Sequence, residues 1–161
     1  MELLSKHSGP ASHPLRALVL EDDIELSTVI EKVIKMIDPK IILDWATSAE
    51  EAVTHLESVM KSVSHPHYDL IVADIFLDGD STGIDFWRSV QELCPGTPVL
   101  MTSALTLDRF FATVGRQSIS PPYLQKPFTL TECKQSIEPL LGFAAHKKWK
   151  APHSNPAWAQ L

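Results

Sequence analysis

The sequence predicts an α/β domain built on a five-stranded parallel sheet with helices on both faces. Short, continuous apolar runs alternate five times with segments in which apolar residues recur at helical spacing. Such alternation is typical of parallel strands joined by right-handed helical crossovers. In addition, residues 70–73 (LIVA) are apolar at every position, which is the pattern of a strand buried on both faces.

Length, charge and cysteine content limit the number of domains, the kinds of partner and the cellular compartment that we expect for this protein. The 161 residues suffice for one domain with extensions, and 14 Lys and Arg against 20 Asp and Glu give a net charge of −6. This balance argues against direct nucleic-acid binding, which needs a basic face. Cys94 and Cys133 are too far apart for a metal or redox motif, so we expect a reducing compartment, by default the cytoplasm. No apolar run is long enough to predict a signal peptide or membrane insertion.

The first two strand–helix units are predicted over residues 15–37 and 41–60. The second helix begins at Thr47 or Ser48, because Glu51 stands three residues after Ser48 in capping-box position. The first strand ends in three consecutive acids, Glu21, Asp22 and Asp23.

The third strand is predicted to end at a carboxylate, Asp74. Turn-forming residues follow as far as Gly83, and a helix is predicted over 84–93. Ligands of open α/β sheets bind in the crevice outside the carboxyl ends of the strands, so Asp74 is a candidate for chemistry. The alternative is an aspartate that only caps a loop.

The loop before this strand contains two histidines in the motif His65-Pro66-His67. A pair of histidines can suggest a metal site. Without a third ligand nearby, however, such a pair is more often a surface feature, and we predict that these two residues bind no metal.

The last two units follow the same pattern. The fourth strand, residues 99–101, precedes Thr102 and Ser103, and a weaker helical pattern covers 105–115. The loop 117–122 carries two prolines. Residues 123–125 form the fifth strand, and the last helix begins at Thr129 or Thr131 and ends before Gly142.

Three segments follow from these boundaries: a flexible leader over residues 1–14, a domain over 15–142, and a tail over 143–161. The tail is too short for an effector domain. It contains a basic cluster and two tryptophans, which are frequent contact groups of a docking peptide; the alternatives are a disordered end or an extension folded against its own domain.

Polar side chains follow four of the five predicted strands, and in a parallel sheet they meet at one edge. Crowded carboxylates repel, and a hard divalent cation such as Mg²⁺ relieves the repulsion and favours phosphate oxygens. Asp74 could then attack phosphorus and form an aspartyl phosphate, while Lys126 neutralises one phosphoryl oxygen and Ser103 hydrogen-bonds another. The residues of this set are Glu21, Asp22, Asp74, Ser103 and Lys126.

Four segments resemble, in order, the signature segments of the receiver domains of two-component response regulators. They are LVLEDD (18–23), DLIVADIFL (69–77), PVLMTSA (98–104) and YLQKPF (123–128). The resemblance covers roughly residues 15–142, and the chemotaxis response regulator is the small single-domain example of this family. It implies the flavodoxin-like receiver fold with strand order 2-1-3-4-5.

The resemblance also implies residue roles. Asp74 matches the phosphoacceptor, Ser103 the switch hydroxyl, Tyr123 the switch aromatic and Lys126 the site lysine, and the bond before Pro127 is expected to be cis. The expected Mg²⁺ ligands are Glu21, Asp22, Asp74 and the backbone carbonyl of Phe76. Two departures are the turn after Asp74, one residue longer than the commonest form, and the proline-stiffened SISPPY segment (118–123).

We therefore expect a phosphorylation-controlled switch and not an enzyme with an external substrate. A histidine kinase or phosphotransfer protein would donate the phosphoryl group, and a downstream protein target would receive the signal. A homodimer formed on phosphorylation is a further option.

Three other functions are weighed against this one. A receiver that works as a constitutive adaptor remains open because of the SISPPY segment. A phosphatase with an aspartate nucleophile is disfavoured, since it would carry Asp-x-Asp after the first strand, whereas Phe76 stands two residues after Asp74. A flavin carrier is disfavoured because acids follow the first strand where phosphate-binding donors are needed.

Overall fold

The computed structural model describes residues 13–115 and 120–146, with the backbone alone for 143–146. Five strands and five helices alternate: β1 (Arg16–Leu20), α1 (Ile24–Ile37), β2 (Ile42–Ala46), α2 (Ala49–Met60), β3 (Leu70–Asp74), α3 (Gly83–Leu93), β4 (Val99–Ser103), α4 (Leu107–Val114), β5 (Tyr123–Gln125) and α5 (Leu130–His146). All five predicted units are confirmed. The leader up to residue 12, part of the SISPPY segment and the tail from 147 lie outside the described residues.

The last helix is longer than predicted. We expected it to end before Gly142, but α5 continues to His146. Ala144 and Ala145 are strong helix formers, and a single glycine inside a helix costs only about 1 kcal/mol relative to alanine. The prediction treated Gly142 as a stop signal, and the helix passes through it.

The sheet is parallel throughout, with the strand order β2-β1-β3-β4-β5 that was predicted. The strands β3 and β4 are buried at every position, whereas the edge strands β2 and β5 are partly exposed. The prediction that residues 70–73 form a strand buried on both faces is therefore confirmed.

Helices cover both faces of the sheet. The helices α1 and α5 pack on one face, against alternate strand residues that include Ala17, Val19, Leu70, Val72 and Leu100. The helices α2, α3 and α4 pack on the other face, against Leu18, Leu20, Ile71, Ala73 and Met101. No helix in the described ranges has the length and hydropathy that a membrane span requires.

Side-chain caps mark the starts of α1, α2 and α5, as Thr82 does for α3. Asp23 caps α1 by accepting hydrogen bonds from the amides of Glu25 and Leu26 at 2.9 and 3.2 Å, so the third acid after β1 is structural. Of the two candidates for α2, Ser48 is the cap. Of the two candidates for α5, the side chain of Thr129 accepts from the amide of Glu132, and α5 begins at the next residue.

In the middle of the edge strand β2, the side chain of Asp44 binds two partners. Its Oδ2 accepts from Arg16 Nε at 2.8 Å and from the Tyr68 hydroxyl at 2.7 Å. Burial alone would raise the pKa of the Asp44 carboxyl, but the hydrogen bonds from Arg16 and Tyr68 and the charge of Arg16 outweigh it, so the pKa lies below its ordinary value. The ionised carboxylate therefore stabilises the fold at neutral pH.

We predict that Asp44→Asn lowers the free energy of unfolding by about 2 kcal/mol at pH 7, because two hydrogen bonds to a charged acceptor become bonds to a neutral amide. A carboxyl with a lowered folded pKa contributes stability above its unfolded pKa, here 3.8, and loses it as the pH falls through the folded value. The difference between wild type and variant should therefore shrink in acid. Urea unfolding at neutral pH and at about pH 3.5 measures it, with Glu57→Gln, on the exposed face of α2, as the control. A difference that stays constant with pH would contradict this assignment.

The prediction that His65 and His67 lack a third ligand is wrong. The loop between α2 and β3 folds back so that both imidazoles contact the Asp69 carboxylate, at 2.9 Å for His65 Nε2 and 3.3 Å for His67 Nε2. Asp69 stands two residues after His67, but only the fold of the loop turns the three side chains toward one another.

Candidate functional site

Three carboxylates meet at the carboxyl ends of β1 and β3. Glu21 directly follows β1, and its amide donates to the carbonyl of Ala46 at 3.0 Å. Asp74 is the last residue of β3, and the next amide, of Ile75, donates to the carbonyl of Thr102 at 3.0 Å. Backbone pairing thus continues past both strand ends and holds the two acids in place. One carboxylate oxygen from each of Glu21, Asp22 and Asp74 lies within 4.8 Å of the others.

Lys126 joins two of these acids. Its Nζ donates to Glu21 Oε2 at 2.8 Å and to Asp74 Oδ2 at 2.9 Å, although the three residues come from three different strand ends. Its backbone amide donates to the carbonyl of Ser103 at 2.7 Å, which sets the position of the chain after β5. The Lys126–Pro127 bond is cis, as predicted.

Burial and mutual charge shift the ionisation of this group. Burial raises the pKa of Glu21, and the nearby charge of Asp74 adds to the rise, which the hydrogen bond from Lys126 offsets only in part. Burial by itself lowers the pKa of Lys126, but the hydrogen bonds to Glu21 and Asp74 and their charges outweigh it, so the pKa is raised. Lys126 is therefore fully charged at neutral pH, and Glu21 takes up a proton more readily than an ordinary glutamate.

The donor set fits a hard divalent cation. Three carboxylates face one ammonium, which leaves a net charge of about −2 when all are ionised, and the ligand atoms are all oxygens. Mg²⁺ prefers such ligands and keeps several of its waters. Glu21, Asp22 and Asp74 are the residues that would hold it. The amide of Phe76 donates to Asp74 Oδ1 at 3.3 Å, which places Phe76 beside the site, and its backbone carbonyl stays a predicted ligand.

The side chains of Ser103 and Tyr123 are hydrogen-bonded to each other. The hydroxyls of Ser103 and Tyr123 are 2.8 Å apart, and Ser103 Oγ also accepts from the amide of Leu105 at 3.1 Å. The Tyr123 hydroxyl lies 2.6 Å from the carbonyl of Leu105, to which it donates, and its ring stacks on Phe110 with centroids 4.0 Å apart. Within the described ranges, Ser103 has no hydrogen bond to Asp74 although β4 lies beside β3. The structure therefore brings Glu21, Asp22, Asp74 and Lys126 together and leaves the Ser103 hydroxyl turned toward Tyr123.

Gly83 was not among the predicted site residues, yet it packs directly on the end of β3. A Cβ at Gly83 would lie 1.8 Å from the carbonyl oxygen of Asp74 and 2.8 Å from its carbonyl carbon. The amide of Gly83 donates to the carbonyl of Ile75 at 2.9 Å. The start of α3 thus packs so closely against the backbone of Asp74 that only a glycine fits at position 83. The only signal in the sequence is a glycine at the end of the turn cluster.

We predict that Gly83→Ala lowers the free energy of unfolding by about 2–3 kcal/mol, because the backbone of Asp74 or the start of α3 must move to admit the methyl group. Gly96→Ala is the matched control. Its Cβ would meet nothing within 4 Å, so we expect no loss or a small gain in stability. Urea unfolding of both variants checks this. Equal stabilities would show that the contact with Asp74 relaxes at no cost.

The model of the response regulator receiver domain family matches residues 17–138. The chain belongs to this family. Receiver domains act in phosphorylation-dependent signalling as regulatory phosphoacceptors, and they interact with histidine kinases or phosphotransfer proteins. They bind Mg²⁺ at an acidic pocket, and the acids of this receiver domain form such a cluster.

Solved receiver structures share this fold. A response regulator receiver protein from Sinorhizobium medicae is 21% identical, with a TM-score of 0.65 over 81% of this chain and 97% of that chain. The signal receiver domain of an HD domain-containing protein from Pseudomonas fluorescens is 14% identical, with a TM-score of 0.69 over 86% of this chain and 95% of the other. The chemotaxis response regulator CheY4 of Vibrio cholerae is 20% identical, with a TM-score of 0.62 over 80% of this chain and 100% of the other. At these identities the likeness shows the fold. No curated protein matches the chain significantly.

Proposed function

We propose that this receiver domain is a phosphorylation-controlled switch whose phosphoacceptor is Asp74. The observation that carries the proposal is the double contact of Lys126 with Glu21 and Asp74 inside a cluster of three acids. Asp74 is the acid of this cluster that ends the central strand β3 and lies against both Lys126 and the predicted cation ligands. The free thiols of Cys94 and Cys133 favour a cytoplasmic setting.

The chemistry assigned to these residues is transfer of one phosphoryl group. A carboxylate oxygen of Asp74 forms a bond to phosphorus while the bond between phosphorus and the donor, a phosphohistidine of a kinase or phosphotransfer protein, breaks. Lys126, already 2.9 Å from Asp74, is placed to bind a phosphoryl oxygen and to balance its charge. When bound by Glu21, Asp22 and Asp74, Mg²⁺ supplies the positive charge that brings the anionic phosphoryl group to an anionic site.

The switch rests on the shared hydrogen bonds of Ser103 and Tyr123. A phosphoryl group on Asp74 offers Ser103 a charged acceptor that competes with its present partners, Tyr123 and the amide of Leu105. Movement of Ser103 toward the phosphoryl group would break one of the hydrogen bonds that hold Tyr123, whose ring stacks on Phe110 of α4. Two large apolar residues of α4, Leu107 and Phe111, are exposed beside this contact and favour protein partners there. A downstream target or a second copy of the chain would bind this surface in a phosphorylation-dependent way.

Acetyl phosphate labelling tests the proposal. The full chain is incubated with acetyl phosphate, with and without Mg²⁺, and its intact mass is measured. We expect one phosphoryl group per chain with Mg²⁺ and almost none after the metal is chelated. A chain that takes up no phosphoryl group under either condition, yet binds a partner, would support the constitutive adaptor instead.

Phe76 is predicted to prolong the life of the phosphoryl group. Its side chain is 56% exposed beside Asp74, and a hydrocarbon ring cannot orient an attacking water. We expect Phe76→Asn to speed dephosphorylation about tenfold or more, since an amide can hydrogen-bond that water. Decay of the labelled mass after removal of acetyl phosphate measures the rate. Met36→Asn, an exposed apolar position at the far end of α1, is the control, and equal rates for both variants would contradict this role.

A further inference from the structure

A second cluster of potential ligands lies at the opposite edge of the sheet, in the loop that enters β3. The side chains of His65, His67 and Asp69 each offer one ligand atom, and these atoms all lie within 4.8 Å of one another. The two imidazole rings are stacked, with centroids 4.4 Å apart, and both direct Nε2 at the same carboxylate. The three residues are largely buried, with 17%, 21% and 6% of their side chains exposed.

The spacing of these atoms is near that of tetrahedral zinc ligands. With Zn–N and Zn–O bonds of about 2.0–2.2 Å, two ligand atoms in a tetrahedral site are about 3.4 Å apart. His65 Nε2 lies 2.9 Å from Asp69 Oδ2 and His67 Nε2 lies 3.3 Å from Asp69 Oδ1, and one ligand atom of each residue lies within 4.8 Å of the other two. Adjustment of the side chains would bring the three ligand atoms around one zinc ion. Two imidazoles and one carboxylate also form a donor set that selects zinc over Mg²⁺.

We propose that His65, His67 and Asp69 form a zinc-binding site. The fourth ligand enters from an adjoining cavity of about 120 Å³, whose lining includes His65 together with His13 and Ser62. An open fourth position next to three protein ligands is a common arrangement for zinc that keeps an exchangeable water.

The cluster includes an anionic ligand, because Asp69 supplies a carboxylate. The Arg16 backbone amide contacts this carboxylate at 2.8 Å, whereas the Arg16 guanidinium is bound to Asp44 at 2.8 Å, which offsets its charge.

The zinc site and the phosphorylation site are separate. Asp69 precedes β3 and Asp74 ends it, so the two carboxylates are about 16 Å apart along an extended strand. The amide of Arg16 donates to Asp69 Oδ2 at 2.8 Å, and the amide of Asp69 donates to the carbonyl of Arg16 at 2.7 Å. An ion on Asp69 would thus fasten the loop to the start of β1 and would stabilise the fold, because the unfolded chain lacks the preformed site.

Zinc titration tests this proposal. The untagged, metal-depleted full chain is titrated calorimetrically with Zn²⁺ in excess Mg²⁺, so that the acids near Asp74 are already occupied. We expect about one zinc per chain, a zinc-dependent rise in melting temperature and, with Co²⁺ in place of zinc, the visible absorption of a tetrahedral ion. The double variant His65→Gln/His67→Gln should bind zinc at least about 100-fold more weakly. Removal of a residue that only hydrogen-bonds to a metal ligand already lowers metal affinity by up to about 100-fold, and this variant removes two ligands.

Two variants serve as controls. His55→Gln removes a histidine of α2 outside the cluster, and Asp22→Asn weakens the acidic site; both should retain zinc binding. The single variants His65→Gln and His67→Gln replace the double variant if its unfolding transition is lost. Equal zinc affinity in wild type and in the folded histidine variants, or loss of zinc binding in Asp22→Asn alone, would overturn the proposal. Neither result bears on phosphorylation of Asp74, which acetyl phosphate labelling measures separately.

Discussion

An Asp74→Asn variant is expected to take up no phosphoryl group from acetyl phosphate or from a histidine kinase. The amide that replaces the carboxylate is a poor nucleophile, and it also removes a negative charge from the predicted cation site. Because the nucleophile itself is lost, the remaining residues cannot compensate, and labelling should fall below detection. The hydrogen bond from Lys126 Nζ, at 2.9 Å in the wild type, can persist to the amide oxygen, so the fold should be retained.

A control variant and peptide mapping distinguish Asp74 from the neighbouring acids as the phosphoacceptor. Asp80→Asn is the matched control, since Asp80 is an exposed acid in the loop that follows Asp74, and it should label like the wild type. Peptide mapping of the labelled wild type should place the phosphoryl group on the peptide that contains Asp74. If Asp74→Asn accepted phosphate at the wild-type rate, the assignment of the phosphoacceptor would be wrong, and the proposed switch with it.

Replacement of Lys126 by methionine is expected to affect both stability and phosphorylation. The ammonium lies 2.8 Å from Glu21 and 2.9 Å from Asp74, and its loss leaves two buried carboxylates facing each other without compensation. Removal of one partner of a buried pair costs about 3–5 kcal/mol. Because Glu21 can take up a proton more easily than an ordinary glutamate, we expect a cost near the lower end, about 3 kcal/mol in the absence of a divalent cation.

Mg²⁺ distinguishes this electrostatic effect from a packing defect. A cation bound by the acids should restore part of the lost stability of Lys126→Met, and it should stabilise this variant more than the wild type. The rate of labelling by acetyl phosphate should fall about 100-fold or more, because Lys126 is placed to balance the charge of the transferred group. Urea unfolding with and without Mg²⁺ and labelling kinetics measure both effects, with Lys32→Met, an exposed lysine of α1, as the control. Wild-type stability together with wild-type labelling would contradict the role of Lys126.

Much of the fold was predictable because it depends on patterns local in sequence. The apolar run that ends at Asp74 predicted the central strand, and the repeated strand–helix alternation predicted the parallel sheet. Parallel strands place their carboxyl ends at one edge, so the convergence of Glu21, Asp22, Asp74 and Lys126 follows from the order of the elements. The helix α5 shows the limit of this reasoning, since Gly142 is a stop signal only when its neighbours do not favour continued helix.

The tertiary structure alone decided which side chains contact one another. Sequence position placed Ser103 at the edge that holds Asp74, yet packing directs its hydroxyl to Tyr123. Likewise, the contact of Gly83 with the carbonyl of Asp74 depends on how closely α3 approaches β3. His65, His67 and Asp69 are close in sequence, but only the path of the loop turns their ligand atoms inward. The physical reason is common to all three cases: periodicity and strand order set where a residue lies, whereas rotamers and interelement distances, fixed by packing of the whole core, set what it contacts.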